Sequence, residues 1–397
     1  MPSDSAQIVP HPTSADGLVA AAHGFAGELR ERAAEIEKAR QLPQDLADRF
    51  ASAGFYRMAV PQALGGLEAT PQQISGVIDA LAQADGSAAW CVMIGSTTGL
   101  TAAYLDPAAA GRIYGEDANT ITAGVFAPMG TADVSADTAT VKGRWAWGSG
   151  SHNAQWVFGG ARLFADDEPV VDDTGRPRTQ MFAMPANDLT LHDNWDPSGL
   201  AGSGSSDFEA DNVVVPLGNG ADITTPPTLT NPLYAFPVFG LLAVGIASVA
   251  TGLARQAIDE IIEIGGGKVP QGSRKTLAHR PQAQSELAMG EAELRAAQAF
   301  LTDAVGDAWV AATADGVIGI DQRRDLRLAA THATTASARV VDRMYLLGGG
   351  SAVHRTCPLQ RAFRDVHVAT QHMMTAPATW ELTGRMLFGV ETDTTTL

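Results

Sequence analysis

The chain has 397 residues, 45% apolar and 18% charged, enough for two or three hydrophobic cores and too many for one ordinary core. Its net charge of −17 excludes nucleic acid and anionic membrane as main partners, because both need a basic footprint. The two cysteines, Cys91 and Cys357, are far apart in sequence, which argues against a disulfide framework and fits a reducing cytoplasm.

The N-terminal stretch MPSDSAQIVPHPTSADG shows no basic segment leading into an apolar one, so no secretory signal is expected. Helices follow. Ala20–Lys38 carries Leu29, Ala33 and Ile36 at helical spacing. LPQDLADRFASAG has Pro43 near a helix start and Gly54 at its end. TPQQISGVIDALAQAD opens on a Thr cap with Pro71 at the first helical position. SAAWCVMIGSTTGLTAAYL is apolar nearly all round and should be buried.

The middle third changes period. TITAGVF, TATVKGRWAW, QWVFGGARLF, TQMFAMP, LTLHDNW and FEADNVVVP are short strand-type runs, several of them separated by turn residues. LGNGADITTPPTLTNP then reads as a linker. Leu233–Ala254 carries no charge and is long enough to span a bilayer. Its Pro237, glycines, Ser248 and Thr251, and the lack of a basic flank at its start, favour a buried central helix over a membrane segment. Further helices are expected over Phe236–Ile264, Arg280–Ala314, Gln322–Leu347 and Leu359–Phe388, packed as a four-helix bundle. The expected class is α+β, with a helical domain over 1–118, a β-barrel or sandwich domain over 119–226 and the bundle over 227–397.

No P-loop, nucleotide-binding GxGxxG, HExxH zinc motif or GxSxG nucleophile elbow occurs, and no metal site is expected. Taken alone, His372 in an apolar run reads as a satisfied core histidine, and Ser149 in GSGS as a turn serine.

Four longer words change that. LPQDLADRFASAGFYRMAVPQALGGLEAT, FAPMGTAD (126–133), GRWAWGSGSHNAQWVFGGA (143–161) and LLGGGSAVHRTCPLQRAFRD (346–365) occur in that order. Together they resemble the acyl-CoA dehydrogenase superfamily, whose members wedge a flavin between a β-domain and a helical bundle, usually in a homotetramer. The resemblance implies Ser149 as the hydroxyl at flavin N5 and Trp147 as the aromatic two residues before it. It puts Val125 and Phe126 at the flavin's pyrimidine edge. Arg274 falls where such proteins often have a phosphate contact, and equally reads as a loop arginine. Gly348 and Gly349 fall where backbone approaches a flavin, and equally serve as a chain turn.

A dehydrogenase of this kind needs a carboxylate base. At one position where such proteins carry it stand Met373 and Met374. At the other, no Asp or Glu occurs between Pro227 and Ile258. The word RDVHVATQHMM instead resembles the branch whose members are oxygenase components of two-component flavin monooxygenases, with His372 in place of the base. DGSAAW (85–90) resembles that branch's N-terminal word, with Trp90 near flavin and substrate. Thr98 stands where many such proteins have histidine, which points to a different substrate.

The function implied is an oxygenase component that takes reduced flavin from a separate reductase. With O2 it would oxygenate an aromatic or other small apolar substrate through a flavin hydroperoxide. Reduced FMN is the cofactor expected first, with FAD as the alternative. His372 and Ser149 are the expected catalytic residues. Thr98, His152, Met373 and Met374 are expected at the substrate, the methionines as walls that exclude water. Two rival readings are a dehydrogenase-type FAD enzyme with an atypical base and a non-catalytic protein on the same scaffold.

Overall fold

The computed structural model of the chain describes residues 12–397. The N-terminal stretch read for a signal therefore lies mostly outside the described residues. The first third forms α1 (Leu18–Gly24), α2 (Ala26–Ala39), α3 (Gln44–Ser52), α4 (Pro71–Ala82), α5 (Gly86–Thr98) and a short α6 (Pro107–Ala110). The single helix expected over Ala20–Lys38 is two, split at Phe25. Local chemistry sets the starts of two others. Thr70 and Gln73 form a reciprocal capping box on α4. Asp85 caps α5 by accepting from the Ala88 N–H at 2.9 Å.

The middle third is an eight-stranded sheet. Its strands are β1 (Thr122–Val134), β2 (Thr138–Trp145), β3 (Trp156–Ala165), β4 (Glu168–Pro169), β5 (Thr179–Pro185), β6 (Thr190–Leu191), β7 (Phe208–Pro216) and β8 (Gly220–Ala221). Their order is β6-β7-β2-β1-β3-β5-β8, with β4 on β3. The central pair β1–β3 is parallel and the other pairs are antiparallel. Between Val125 and Gly130 that pair loses register, so Phe126–Met129 bulge out of the ladder. Gly160 makes the bulge possible. A Cβ there would stand 2.4 Å from the Phe126 carbonyl oxygen.

The last third forms α7 (Val238–Gly265), α8 (Pro281–Asp315), α9 (Ile320–Gly348), α10 (Pro358–Ala369) and α11 (Ala378–Leu387). One expectation fails here. The helix foreseen over Leu359–Phe388 breaks at residues 370–377, so His372 sits in a turn and not on a helix. Pro377 cannot donate a helical hydrogen bond. The Thr370 and Thr375 hydroxyls bond back to the carbonyls of His367 and His372, a local alternative to helix continuation.

α7 explains the assembly of the layers. It is apolar on nearly every face and packs against α4, α5, α9 and α10. The helices of the first and last thirds therefore share one apolar core, and most of the sheet keeps a separate one around Trp145, Phe182 and Phe208. The most apolar window of α7 has mean hydropathy 1.7, as a membrane span would, and 89% of it is buried inside the protein.

Candidate active site

The three layers meet through α10. Gly199 lies so close to the Arg364 backbone that a Cβ would come within 2.4 Å of it. The Leu200 N–H donates to Asp365 Oδ1 at 2.6 Å, and the Arg364 guanidinium pairs with Glu37 of α2. Asp365 is fully enclosed, and burial pushes its carboxyl up to about 7. This clamp fixes the loop Leu200–Ser206 beside α5 and the turn that follows α10.

Ser149 lies in the loop after β2, and Ser203 and Ser205 in the clamped loop. The Trp90 indole Nε1–H donates to Ser149 Oγ at 3.1 Å. Ser149 Oγ lies 2.6 Å from Ser205 Oγ, which lies 2.7 Å from Ser203 Oγ. Ser203 donates to the Leu200 carbonyl at 2.6 Å. A carbonyl can only accept, so this last bond polarises the series. Ser203 must accept from Ser205, and Ser205 from Ser149. Ser149 has thus spent its proton and keeps a lone pair for a donor. All three serines are buried, and Ser203 and Ser205 escaped the reading of the sequence. Their only signal was a run of small hydroxylic residues, AGSGSS, without strand period.

The rings of His372 and Trp90 meet in a T-shaped arrangement, with centroids 5.8 Å apart. Its Nδ1 accepts the Met374 N–H at 3.2 Å, so the proton of the neutral ring is on Nε2. Burial chiefly, then the charge of Arg327, lowers its pKa to about 4. At neutral pH His372 is therefore an uncharged ring with an Nε2–H to offer. No carboxylate hydrogen-bonds to Trp90, Ser149 or His372 among the described residues.

The other expected residues divide. Phe126, from the bulge, packs edge-on against Phe239 of α7 at 5.5 Å, with Val125 beside it at the end of the paired segment. Met374 is buried against Arg327 of α9. Met373 is 63% exposed and walls nothing within this chain. The turn that replaces the helix points successive side chains to opposite sides. Thr98 is buried, but its hydroxyl donates to the Ile94 carbonyl at 2.8 Å, so it offers shape and not a proton. His152 reaches Ser206 at 3.1 Å and burial lowers its pKa. Arg274 is exposed in the loop after α7. Gly348 and Gly349 end α9, joined to that same loop by Lys268 on the Gly348 carbonyl. No hydrogen bond or ring contact joins these three to Trp90, Ser149 or His372 among the described residues.

The residues around Ser149 fit a flavin. Trp147 holds a left-handed backbone, φ 65°, and leaves its indole 69% exposed. Ser151 Oγ is buried with no partner, and a side chain at Gly150 would meet open space. These are an aromatic face, an orphaned hydroxyl and a cradle beside an acceptor hydroxyl.

Comparison with known proteins shows the family. The family described as acyl-CoA dehydrogenase, N-terminal domain, matches residues 16–108, and acyl-CoA dehydrogenase, C-terminal domain, matches 244–377. The chain is 32% identical to an indole-3-acetate monooxygenase of Pseudomonas putida over 91% of this chain and 90% of that protein. The chain belongs to the flavin-dependent monooxygenases built on the acyl-CoA dehydrogenase fold. This monooxygenase is also 29% identical to the flavin-dependent monooxygenase oxygenase subunit HsaA of Rhodococcus jostii, over 88% of this chain and 92% of that protein. Its fold matches the solved structure of XiaF from Streptomyces in complex with FADH2 and glycerol, with a TM-score of 0.86 and 25% identity over 95% and 96% of the two chains.

Proposed function

We propose that this monooxygenase is the oxygenase half of a two-component system acting on a small aromatic substrate, with reduced flavin supplied by a separate reductase. The bound flavin supplies the activation of O2. The observation that carries the reading is the serine series: Ser149 can accept but not donate, which suits the N5–H of a reduced flavin and not the bare N5 of an oxidised one. His372 then offers Nε2–H to a substrate oxygen or a departing one without bringing a charge. Trp90, Phe126 and Met374 keep water out. Val125 and Phe126 hold the flavin's polar edge, and Arg274, Gly348 and Gly349 its far end.

The relatives named with indole-3-acetate and FADH2 weigh toward a bicyclic or phenolic substrate and toward FAD over FMN. Leu346, Val353 and Phe388 are 77%, 62% and 90% exposed, and large apolar side chains left open to this degree support a homotetramer that covers them. The two free cysteines and the net charge of −17 support a cytoplasmic protein that binds neither nucleic acid nor membrane.

The test is a single-turnover reaction with chemically reduced FAD or FMN, 18O2 and a panel of indoles and phenols including indole-3-acetate. One labelled oxygen should enter a product, and His372→Ala should divert the oxygen to peroxide. Stoichiometric peroxide with every substrate, unchanged by His372→Ala, would sink the reading.

A further inference from the structure

The serine series ends on a strained residue. Leu200 holds a left-handed backbone, φ 50° and ψ 32°, which a leucine adopts only where its surroundings force it. Its carbonyl accepts the Ser203 N–H at 3.0 Å as well as the Ser203 hydroxyl at 2.6 Å. Relaxed to a negative φ, Leu200 would swing that carbonyl away from both donors. Ser203 would then lack its fixed acceptor, and nothing would hold the protons of Ser205 and Ser149 in one direction.

Asp365 holds Leu200 in place. Its bond from the Leu200 N–H, at 2.6 Å, is the only hydrogen bond of the Asp365 side chain among the described residues. Asp365 is 3% exposed, and its neighbours on α10, Arg361 and Arg364, both turn to Glu37, at 3.1 Å and 2.7 Å. An enclosed carboxyl with one hydrogen bond and no ion pair is unfavourable for the fold, so stability does not account for it. The rest of the loop is fixed by other means. A Cβ on Gly202 would stand 2.2 Å from Ile36 Cγ2 of α2, and the Ser203 carbonyl accepts the Gly150 N–H at 2.9 Å. Loss of the Asp365 acceptor would therefore act locally, on Leu200 and the hydroxyls that lean on it.

We propose that Asp365 is a positioning residue for the flavin's redox state: by holding Leu200 left-handed it fixes the last acceptor of the serine series and keeps Ser149 an acceptor only. Without it, Ser149 regains a proton to donate. The site should then distinguish poorly between the bare N5 of an oxidised flavin and the N5–H of a reduced one. This deepens the reading above, on which it rests, by naming what sets the preference for reduced flavin.

Anaerobic titration of oxidised and dithionite-reduced FAD and FMN into the full chain tests it, read as the ratio of the two Kd values for whichever flavin binds more tightly. At about pH 6 the Asp365 carboxyl, pushed up to about 7 by burial, is mostly protonated, and Asp365→Asn copies its shape and its acceptor. The wild type should favour reduced flavin. Asp365→Ala and Asp365→Leu leave no acceptor for Leu200 and should each shrink that preference about fivefold, the scale of one hydrogen bond. Asp365→Asn should stay within about twofold of the wild type. With Ser205→Ala already cutting the series, Asp365→Ala should change the ratio by less than about twofold, which a merely structural role would not produce. A wild type without the preference would overturn the proposal. So would an undiminished preference in either folded variant lacking the acceptor, a loss as large in Asp365→Asn, or the same loss with and without Ser205. If neither Asp365→Ala nor Asp365→Leu folds, Asp365→Asn decides: retention of the wild-type ratio supports the proposal and loss of it overturns it. Incorporation of 18O by the wild type is read separately. It would survive failure of this proposal and would vanish with failure of the monooxygenase reading.

Discussion

The Trp90 indole donates to the Ser149 hydroxyl at 3.1 Å, joining the central helix of the first third to the loop after β2. This bond occupies one lone pair of Ser149 and helps hold the hydroxyl's own proton on Ser205. Trp90→Phe keeps an aromatic ring beside His372 and removes only the donor. A neutral hydrogen bond contributes about 0.5–1.5 kcal/mol, so product formed per reduced flavin should fall about two- to tenfold. Peroxide should rise to match. Unchanged coupling would show that Ser149 is oriented without Trp90.

Ser205→Ala tests the direction of the series. Without Ser205, the Ser149 proton is free to donate, and Ser149 should accept oxidised flavin more readily. The ratio of Kd values for oxidised and reduced flavin, measured anaerobically, should therefore shrink several-fold. An unchanged ratio would mean that Ser149 does not sense the redox state.

The fold was largely legible because it rests on period. Helical spacing in Ala20–Lys38 and alternation in TATVKGRWAW are local properties of the chain, and the structure puts helix and strand there. The break at residues 370–377 was not legible from period, since ATQHMMT continues an apolar helical pattern up to Pro377. Trp90, Ser149 and His372 were picked out by resemblance, and the structure puts Trp90 against each of the other two. Ser203 and Ser205 were missed because small hydroxylic residues carry no period and acquire meaning only when Asp365 pins their loop in place. Arg327 was missed because basic residues on a helix usually face water, and only packing shows that this one does not.

Asp365 should make stability fall with rising pH. Its folded pKa of about 7 lies above the ordinary 3.8, so the protonated form is favoured in the fold. The stabilisation is complete below about pH 4 and is lost as pH rises through about 7. Asp365→Asn cannot ionise and keeps an acceptor for the Leu200 N–H. Its Tm relative to wild type should be higher at pH 8 than at pH 5. The same offset at both pH values would show that Asp365 does not titrate in this range.

Met373 and Met374 should differ sharply although adjacent. Met374 is 2% exposed, and truncating a buried methionine costs about 2–5 kcal/mol. Met374→Ala should lose that much in urea unfolding and should also raise peroxide. Met373→Ala should stay within about 0.5 kcal/mol in the isolated chain. A larger loss at Met373 would show that another subunit covers it.

The break between α10 and α11 separates two inheritances of the site. His372 hangs from a short turn whose ends are held by Asp365 on one side and Pro377 on the other, while the long helices α7, α8 and α9 carry the packing. Apart from the buried Met374 and Thr375, substitutions at 370–376 therefore meet few of the constraints that govern a bundle helix. A lineage could exchange the side chain at 372 and leave the packing of the long helices untouched.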